Sequence, residues 1–249
     1  MFRGFYTLTS SMLTENRGMD VIANNFANMG TSGFKADEMV STTFGNELVR
    51  VTANNSLGAY DDLAEAGGIV VLGINTIDYS QGNIDETGIF TDVALLGDGF
   101  FTIQTEEGNI YTRNGSFSID GDGGMHLLGG GPVMGQNGPI TVPNDRFQIN
   151  RMGQILDENG VLIDELAIVD FPDYDAIVKV GEGFFQSPDE PIQDVNVDVI
   201  WKATEYSNVD PAEQLTAMME GQRLIQSASQ VLKIYDTLES KAATEIGRV

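Results

Sequence analysis

The chain has 249 residues and a formal net charge of −24, from 37 Asp plus Glu against 13 Lys plus Arg, with one histidine and no cysteine. That length can bury a sizeable core, in one large domain or two small ones. The absence of cysteine excludes disulfides, thiolate nucleophiles and sulfur-bound metal sites, the lone His126 excludes two-histidine sites, and the acidity argues against nucleic acid or anionic lipid as the main partner.

The charge is unevenly placed. Residues 1–35 hold two acids and three bases, residues 207–249 six acids and four bases, and residues 36–206 hold 29 acids against six bases. Nearly neutral ends suit association, and an acidic centre suits solvation. No stretch approaches the ~18 apolar residues of a membrane span, so no membrane insertion is expected. The longest apolar run, Ile69–Ile74, is strand-sized. Thr7, Thr9, Ser10, Ser11 and Thr14 interrupt the N-terminal apolar residues, which is unlike a secretory signal. A protein of this kind leaving the cytoplasm would do so without a cleaved leader.

The first thirty residues predict a helix. Phe5, Leu8, Met12, Glu15, Met19, Ile22, Phe26 and Met29 recur at spacings of 3 and 4, and Gly30 follows where helices commonly end. Residues 36–80 are weakly patterned and read as a connector. Beyond them, Gly and Asx turns alternate with short β-type runs such as Phe100–Thr105, Ser116–Ile119, Met125–Leu128, Ile140–Val142 and Leu166–Phe171, which predicts a mostly antiparallel β domain. A second helix starts with Asp210 at the N-cap, Pro211 at the first helical position and Glu213 at N3. Its seam is read as Ala217, Gly221, Leu224, Ala228, Val231, Tyr235, Leu238 and Ala242, with Met218, Ile225 and Leu232 one residue over. Such a face is wider than a two-helix seam requires.

The most unusual segment is Asn24-Asn25-Phe26-Ala27-Asn28-Met29-Gly30-Thr31-Ser32-Gly33-Phe34-Lys35. Each of its helical asparagines costs ~0.5 kcal/mol relative to Ala. On the residues alone, a fraying helix end and a polar cluster bonding to another chain or to the connector both stand open. This segment resembles the N-terminal signature of the flagellar rod and hook protein family. Further blocks resemble the same family in order: Gln81-Gly82-Asn83, Gly97-Asp98-Gly99-Phe100-Phe101, Tyr111-Thr112-Arg113-Asn114-Gly115, Pro132-Val133-Met134-Gly135, Ser207-Asn208-Val209 and Gln222-Arg223. One departure is Lys202-Ala203-Thr204-Glu205, where the family pattern has glycine-leucine-glutamate.

The resemblance implies an α+β fold, with long N- and C-terminal helices pairing as a coiled coil and flanking a mostly antiparallel β domain. The expected division is 1–35 with 207–249 as the helical assembly domain, 36–80 as connector and 81–206 as the β-rich outer domain. The implied role is a structural, non-enzymatic subunit of the bacterial flagellar basal-body rod. It would self-assemble into a hollow helical tube that carries torque from motor to hook, and would pass the flagellar export apparatus without a cleaved signal. Its partners would be copies of itself and other rod or hook subunits, with no cofactor and no metal. The expected assembly interface is Phe5, Leu8, Met12, Met19, Ile22, Asn24, Asn25, Phe26, Asn28, Thr31, Gly33, Phe34, Ser207, Asn208, Val209, Leu224, Val231, Tyr235 and Leu238.

Competing chemistry is thinner. Asp120-Gly121-Asp122-Gly123 begins like an EF-hand loop but lacks the later ligands and reads as a hairpin turn. Asp92 and Asp98 could serve as paired carboxylates of a secreted cell-wall polysaccharide-binding module or hydrolase, against the simpler reading that Asp98, set between glycines, shapes a turn. His126 and the lone Trp201 read as packing residues, Trp201 at the return to the C-terminal helix. Asn54 and Asn114 head sequons of little weight without a secretory signal.

Overall fold

The computed structural model describes residues 2–43, 70–106, 108–143, 146–181, 183–193 and 197–246. Two long helices, α1 (Phe2–Ala27) and α2 (Pro211–Ile246), flank a succession of short antiparallel strands, an α+β arrangement. The chain divides into two compact units: residues 1–26, 37–77 and 210–249 form a helical unit, and residues 27–36 and 78–209 form a β unit.

In the helical unit, α2 begins where capping chemistry places it. The Asp210 carboxylate accepts the backbone N–H groups of Ala212 at 2.8 Å and Glu213 at 3.3 Å, two donors the helix cannot satisfy itself. Strands Asp37–Thr43 and Val70–Ile77, in the stretch expected as a connector, pair antiparallel with a register shift between Val40 and Thr42. Residues 44–69, with Asn54, lie outside the described residues. A Cβ added at Gly18 would meet the Met39 methyl at 3.2 Å, so the strand pair lies close to α1. The two helices approach at Gly221, where an added Cβ would fall 2.9 Å from Glu15 Oε1 and 3.2 Å from Met19 Cγ. Only glycine allows that approach without displacing side chains.

α1 ends at Ala27, earlier than its seam predicts, so Met29 and Gly30 lie in the turn beyond it. The side chain of Asn25 supplies the reason in the helical unit. Its amide nitrogen donates to the Asp37 carbonyl at 2.7 Å and its oxygen accepts the Asp37 N–H at 2.9 Å. This amide pairs with backbone as a strand would.

The β unit is built around a six-stranded antiparallel sheet. Its strands run in the order Val178–Gly181, Phe184–Gln186, Gly108–Thr112, Phe100–Thr105, Ile168–Asp170 and Ile192–Gln193. Side chains alternate along the central strand. Phe101 and Ile103 enter a large apolar core with Val93, Leu95, Phe117, Met125, Val133 and Ile155. Phe100 points the other way, into an aromatic group with Phe171, Phe185, Tyr79 and Tyr174 whose ring centroids lie 5.5–6.1 Å from its own. Each such pair adds roughly 0.5–1.5 kcal/mol beyond the area it buries. The Phe100–Ile103 run is therefore apolar on both faces because both faces are covered. The predicted strand Ile140–Val142 forms a single bridge from Thr141 to Gly124, with its two apolar residues buried in the core.

Candidate functional site

Three distant pieces of chain meet in the β unit: the signature segment 31–36, residues 78–83 and residues 205–209. Gly33 donates its N–H to the Glu205 carbonyl at 2.8 Å, Tyr206 N–H donates to Asn83 at 2.8 Å, and Asp78 N–H donates to Ala36 at 2.9 Å. Gly33 has φ +69°, and a Cβ there would fall 2.2 Å from the Asn114 nitrogen. Both the left-handed backbone and the close approach require glycine at this position.

At the centre of this junction lies a buried charge cluster. Lys35 Nζ is 2.6 Å from Glu205 Oε1 and donates to the Ser80 carbonyl at 2.7 Å. Gly82 N–H donates to the same Glu205 oxygen at 2.9 Å, and Arg113 Nη1 is 3.6 Å from Glu205 Oε2. Arg113 also donates to the Gly97 carbonyl at 2.7 Å and lies over the Phe100 ring. Lys179 caps the group, its ammonium 3.9 Å from the Phe34 ring centroid and donating to the Lys35 carbonyl at 3.1 Å. Burial holds the Lys35 pKa below the usual lysine value, and the Glu205 charge and hydrogen bond offset part of that shift. A buried pair of this kind costs several kcal/mol if one partner is removed, since the other charge is then stranded.

Asn208 ties the same three pieces at the rim. Its oxygen accepts the Ala36 N–H at 2.8 Å, and its nitrogen lies 2.9 Å from the Asp78 carbonyl and 3.0 Å from the Ser80 hydroxyl. Ser207 and Val209 are buried, and the Ser207 hydroxyl accepts the Val209 N–H at 3.3 Å. Asn28 is buried, and its carbonyl accepts the Thr31 N–H at 3.1 Å. Phe34 is fully enclosed and Thr31 half-buried. Asn24 is exposed on α1.

On α1, Leu8, Met12, Met19, Ile22 and Phe26 are half-buried, whereas Phe5 is 44% exposed. On α2 the sheltered stripe runs through Met218, Gly221, Ile225, Ala228, Leu232 and Tyr235. Leu224, Val231 and Leu238, expected in the seam, are 57%, 38% and 54% exposed and flank that stripe together with Ile234. The sheltered line within the chain thus combines the two stripes read from the sequence, and an apolar line is left outside it.

Asp92 is buried, and its carboxylate accepts the Thr87 hydroxyl at 2.6 Å, which leaves it unlike a catalytic base open to substrate. Asp120 bonds its own loop, accepting Asp122 N–H at 3.0 Å and Gly124 N–H at 2.8 Å. His126 is half-buried in its strand, with Nδ1 3.3 Å from the Gly124 carbonyl. Trp201 packs on Phe90 and donates its indole N–H to the Phe90 carbonyl at 2.8 Å.

These features agree with three family models. Residues 5–35 match "Flagella basal body rod protein", residues 94–157 the "Flagellar hook protein FlgE/F/G D1 domain", and residues 202–245 the "Flagellar basal body rod FlgEFG protein C-terminal". The chain is 31% identical over 260 residues to the flagellar basal-body rod protein FlgG of Bacillus subtilis, covering 96% of this chain and 97% of the relative. It is 30% identical over 243 residues to FlgG of Buchnera aphidicola from Acyrthosiphon pisum, covering 90% and 92%. The chain belongs to the flagellar basal-body rod and hook protein family. Flagellar basal-body rod protein FlgF of Caulobacter vibrioides is 25% identical over 255 residues, end to end in both chains. Within this rod-family chain, the first matched stretch ends at Lys35 and the last contains Glu205, so the ion pair joins two of the three matched regions.

Sequence reading missed Lys35, Arg113 and Glu205 as a group. Lys35 and Glu205 are separated by 170 positions, and no local pattern couples residues so far apart. A lysine closing the asparagine-rich signature and an acid shortly before Ser207-Asn208-Val209 were the available signals.

Proposed function

We propose that the chain is a structural subunit of the bacterial flagellar basal-body rod. It polymerises through α1 and α2 into a hollow helical tube that transmits torque from motor to hook. The two helices pair as a coiled coil, and the apolar residues left over on α2 pack against neighbouring subunits. Contacts of this head-to-tail type add subunits without closing into a ring. The β unit forms the outer layer, other rod and hook subunits adjoin it in the flagellum, and the chain leaves the cytoplasm through the flagellar export apparatus without a cleaved leader. The observation that carries this reading is the exposed line Leu224, Val231, Ile234 and Leu238 beside the sheltered one. Two apolar lines on one helix need more than one partner helix.

Deletion of residues 1–30 or 215–249 tests the assignment in cells. Neither truncated chain is expected to support rod formation or swimming, although each keeps residues 31–36 and 78–209 of the β unit. Motile cells with complete rods built from either truncated chain would defeat it.

A further inference from the structure

Lys202 stands where the strand pair of Asp198–Trp201 with Val93–Leu96 gives way to that of Ala203–Glu205 with Ile84–Glu86. Among the described residues it is the one non-glycine with positive φ, at +63°. Side chains avoid this region, so a lysine held there is a marker of local constraint. The backbone enforces it: Lys202 N–H donates to the Asp92 carbonyl at 2.8 Å, and its own carbonyl accepts Thr87 N–H at 2.9 Å and Gly88 N–H at 3.1 Å. The ammonium is seated 4.2 Å from the ring centroids of both Phe90 and Trp201. Beside it Ile89 and Phe90 are 54% and 50% exposed. The result is a positioned cation rimmed by apolar surface.

Few cations of the acidic centre are comparable. Of the six bases in 36–206 together with Lys35, Lys35 and Arg113 face Glu205, Arg146 pairs with Glu158, Lys179 covers Phe34, and Arg50 lies outside the described residues. Among the described residues Arg151 and Lys202 have no carboxylate partner, and Lys202 is the one fixed by rings and strained backbone. The carboxylate of Asp92, whose carbonyl accepts the Lys202 N–H, accepts the Thr87 hydroxyl.

We propose that Ile89, Phe90, Trp201 and Lys202 form a docking knob for an acidic face on the β unit of a second copy of this chain. The inference rests on the self-assembly reading above. Charge selects the occupant: 23 acids against five bases in residues 78–206 give the β unit of every copy carboxylates in excess, and a cation on aromatic faces attracts them from a partly desolvated site. A contact of this kind supplies specific attraction where net charge alone would hold copies apart.

Trp201 is the sole tryptophan, so its fluorescence reports this site in the intact chain. The full-length protein is concentrated until it sediments as polymer, and acrylamide quenching of Trp201 is measured in monomer and polymer. Quenching is expected to fall several-fold in the polymer. Lys202→Glu is expected to weaken self-association about tenfold, the effect of losing one important interface residue. Lys202→Gly removes the cation but relieves the backbone, so it should weaken association similarly while leaving the monomer's melting temperature unchanged or raised. Lys202→Arg should retain association. A polymer in which Trp201 stays as quenchable as in the monomer, or Lys202→Glu associating like the parent, overturns the knob and leaves the rod reading intact. Protection of Trp201 by a soluble anionic polysaccharide but not by concentrated chain overturns the second copy as occupant. Failure of the parent chain to associate at any concentration overturns both readings.

Discussion

The β unit closes a large apolar core, with Phe34, Val93, Leu95, Phe100, Ile103, Met125, Ile155 and Phe185 wholly shielded from solvent, although Leu128, Met152, Ile89 and Phe90 stay exposed at its surface. The helical unit does not: among its described residues only Asn25 and Gly221 are buried, neither of them a large apolar side chain. The same chain therefore holds one region with a core closed by its own contacts and one that closes no core of large apolar side chains. A helix with half-covered leucines gains little from its own subunit, because most helix stability in proteins comes from burying an apolar face. The difference is the one that the proposed polymerisation through the helices requires.

The sharpest way to break the contrast is at the junction. Glu205→Ala should destabilise the β unit by about 3–5 kcal/mol, measured by chemical unfolding, because it strands the buried Lys35. Converting both partners to apolar residues, as in Lys35→Met with Glu205→Leu, should cost much less than the sum of the single changes. A Glu205→Ala variant as stable as the parent would show that the pair carries no structural role. Next in size is Gly33→Ala, expected to lose roughly 2 kcal/mol or more from φ strain and collision with the Asn114 backbone.

Alkaline pH probes the aromatic face of the sheet. Burial raises the phenol pKa of Tyr111, and burial followed by the Asp170 hydrogen bond raises that of Tyr174, each from an ordinary value of 10.0. The folded state therefore keeps protons that the unfolded chain loses above pH 10, and stability should fall as pH rises beyond that value. Lys35, lowered by burial, opposes this by relieving its own penalty as pH approaches 10.5. Unfolding that tracks tyrosinate absorbance would locate the loss in this cluster, and unchanged stability across the range would refute it.

The helices should respond in the reverse sense. Asp210→Ala removes the α2 cap and should cost about 1 kcal/mol, seen as faster hydrogen exchange in the first turn of α2. Smallest of all for the monomer is Val231→Asp or Leu238→Asp, expected to shift its unfolding free energy by no more than about 0.5 kcal/mol. The same changes should abolish polymerisation in a sedimentation assay. Loss of monomer stability by several kcal/mol instead would mean that these side chains are buried within the subunit, and the contrast would collapse.

What could be read from the sequence follows the range of the forces involved. Asp210 and Pro211 announce the start of α2 because capping acts within a turn. Asp120 announces a hairpin loop because its carboxylate bonds two and four residues on. The glycine and Asx turns on either side find the strand at Phe100–Thr105, though not that Phe100 faces a second aromatic layer. Periodicity also shows two apolar stripes on α2 without deciding between them. That decision depends on Gly221 meeting Met19, a contact made by another helix. The asparagines mislead locally, since Asn25 is unfavourable in a helix yet supplies the exchange with Asp37. Lys35 with Glu205 lies beyond any local pattern, and so does the backbone of Lys202.

The meeting of residues 36, 78 and 208 through one asparagine side chain has a consequence for how such chains can diversify. Everything between Asp78 and Asn208 leaves and returns at nearly the same spot, so it is a cassette whose ends are already joined. A replacement would have to keep that spacing and resupply the partners of Gly33 and Lys35, which are Asn114 and Glu205 inside the cassette. The helical unit could thus stay constant while the cassette is exchanged.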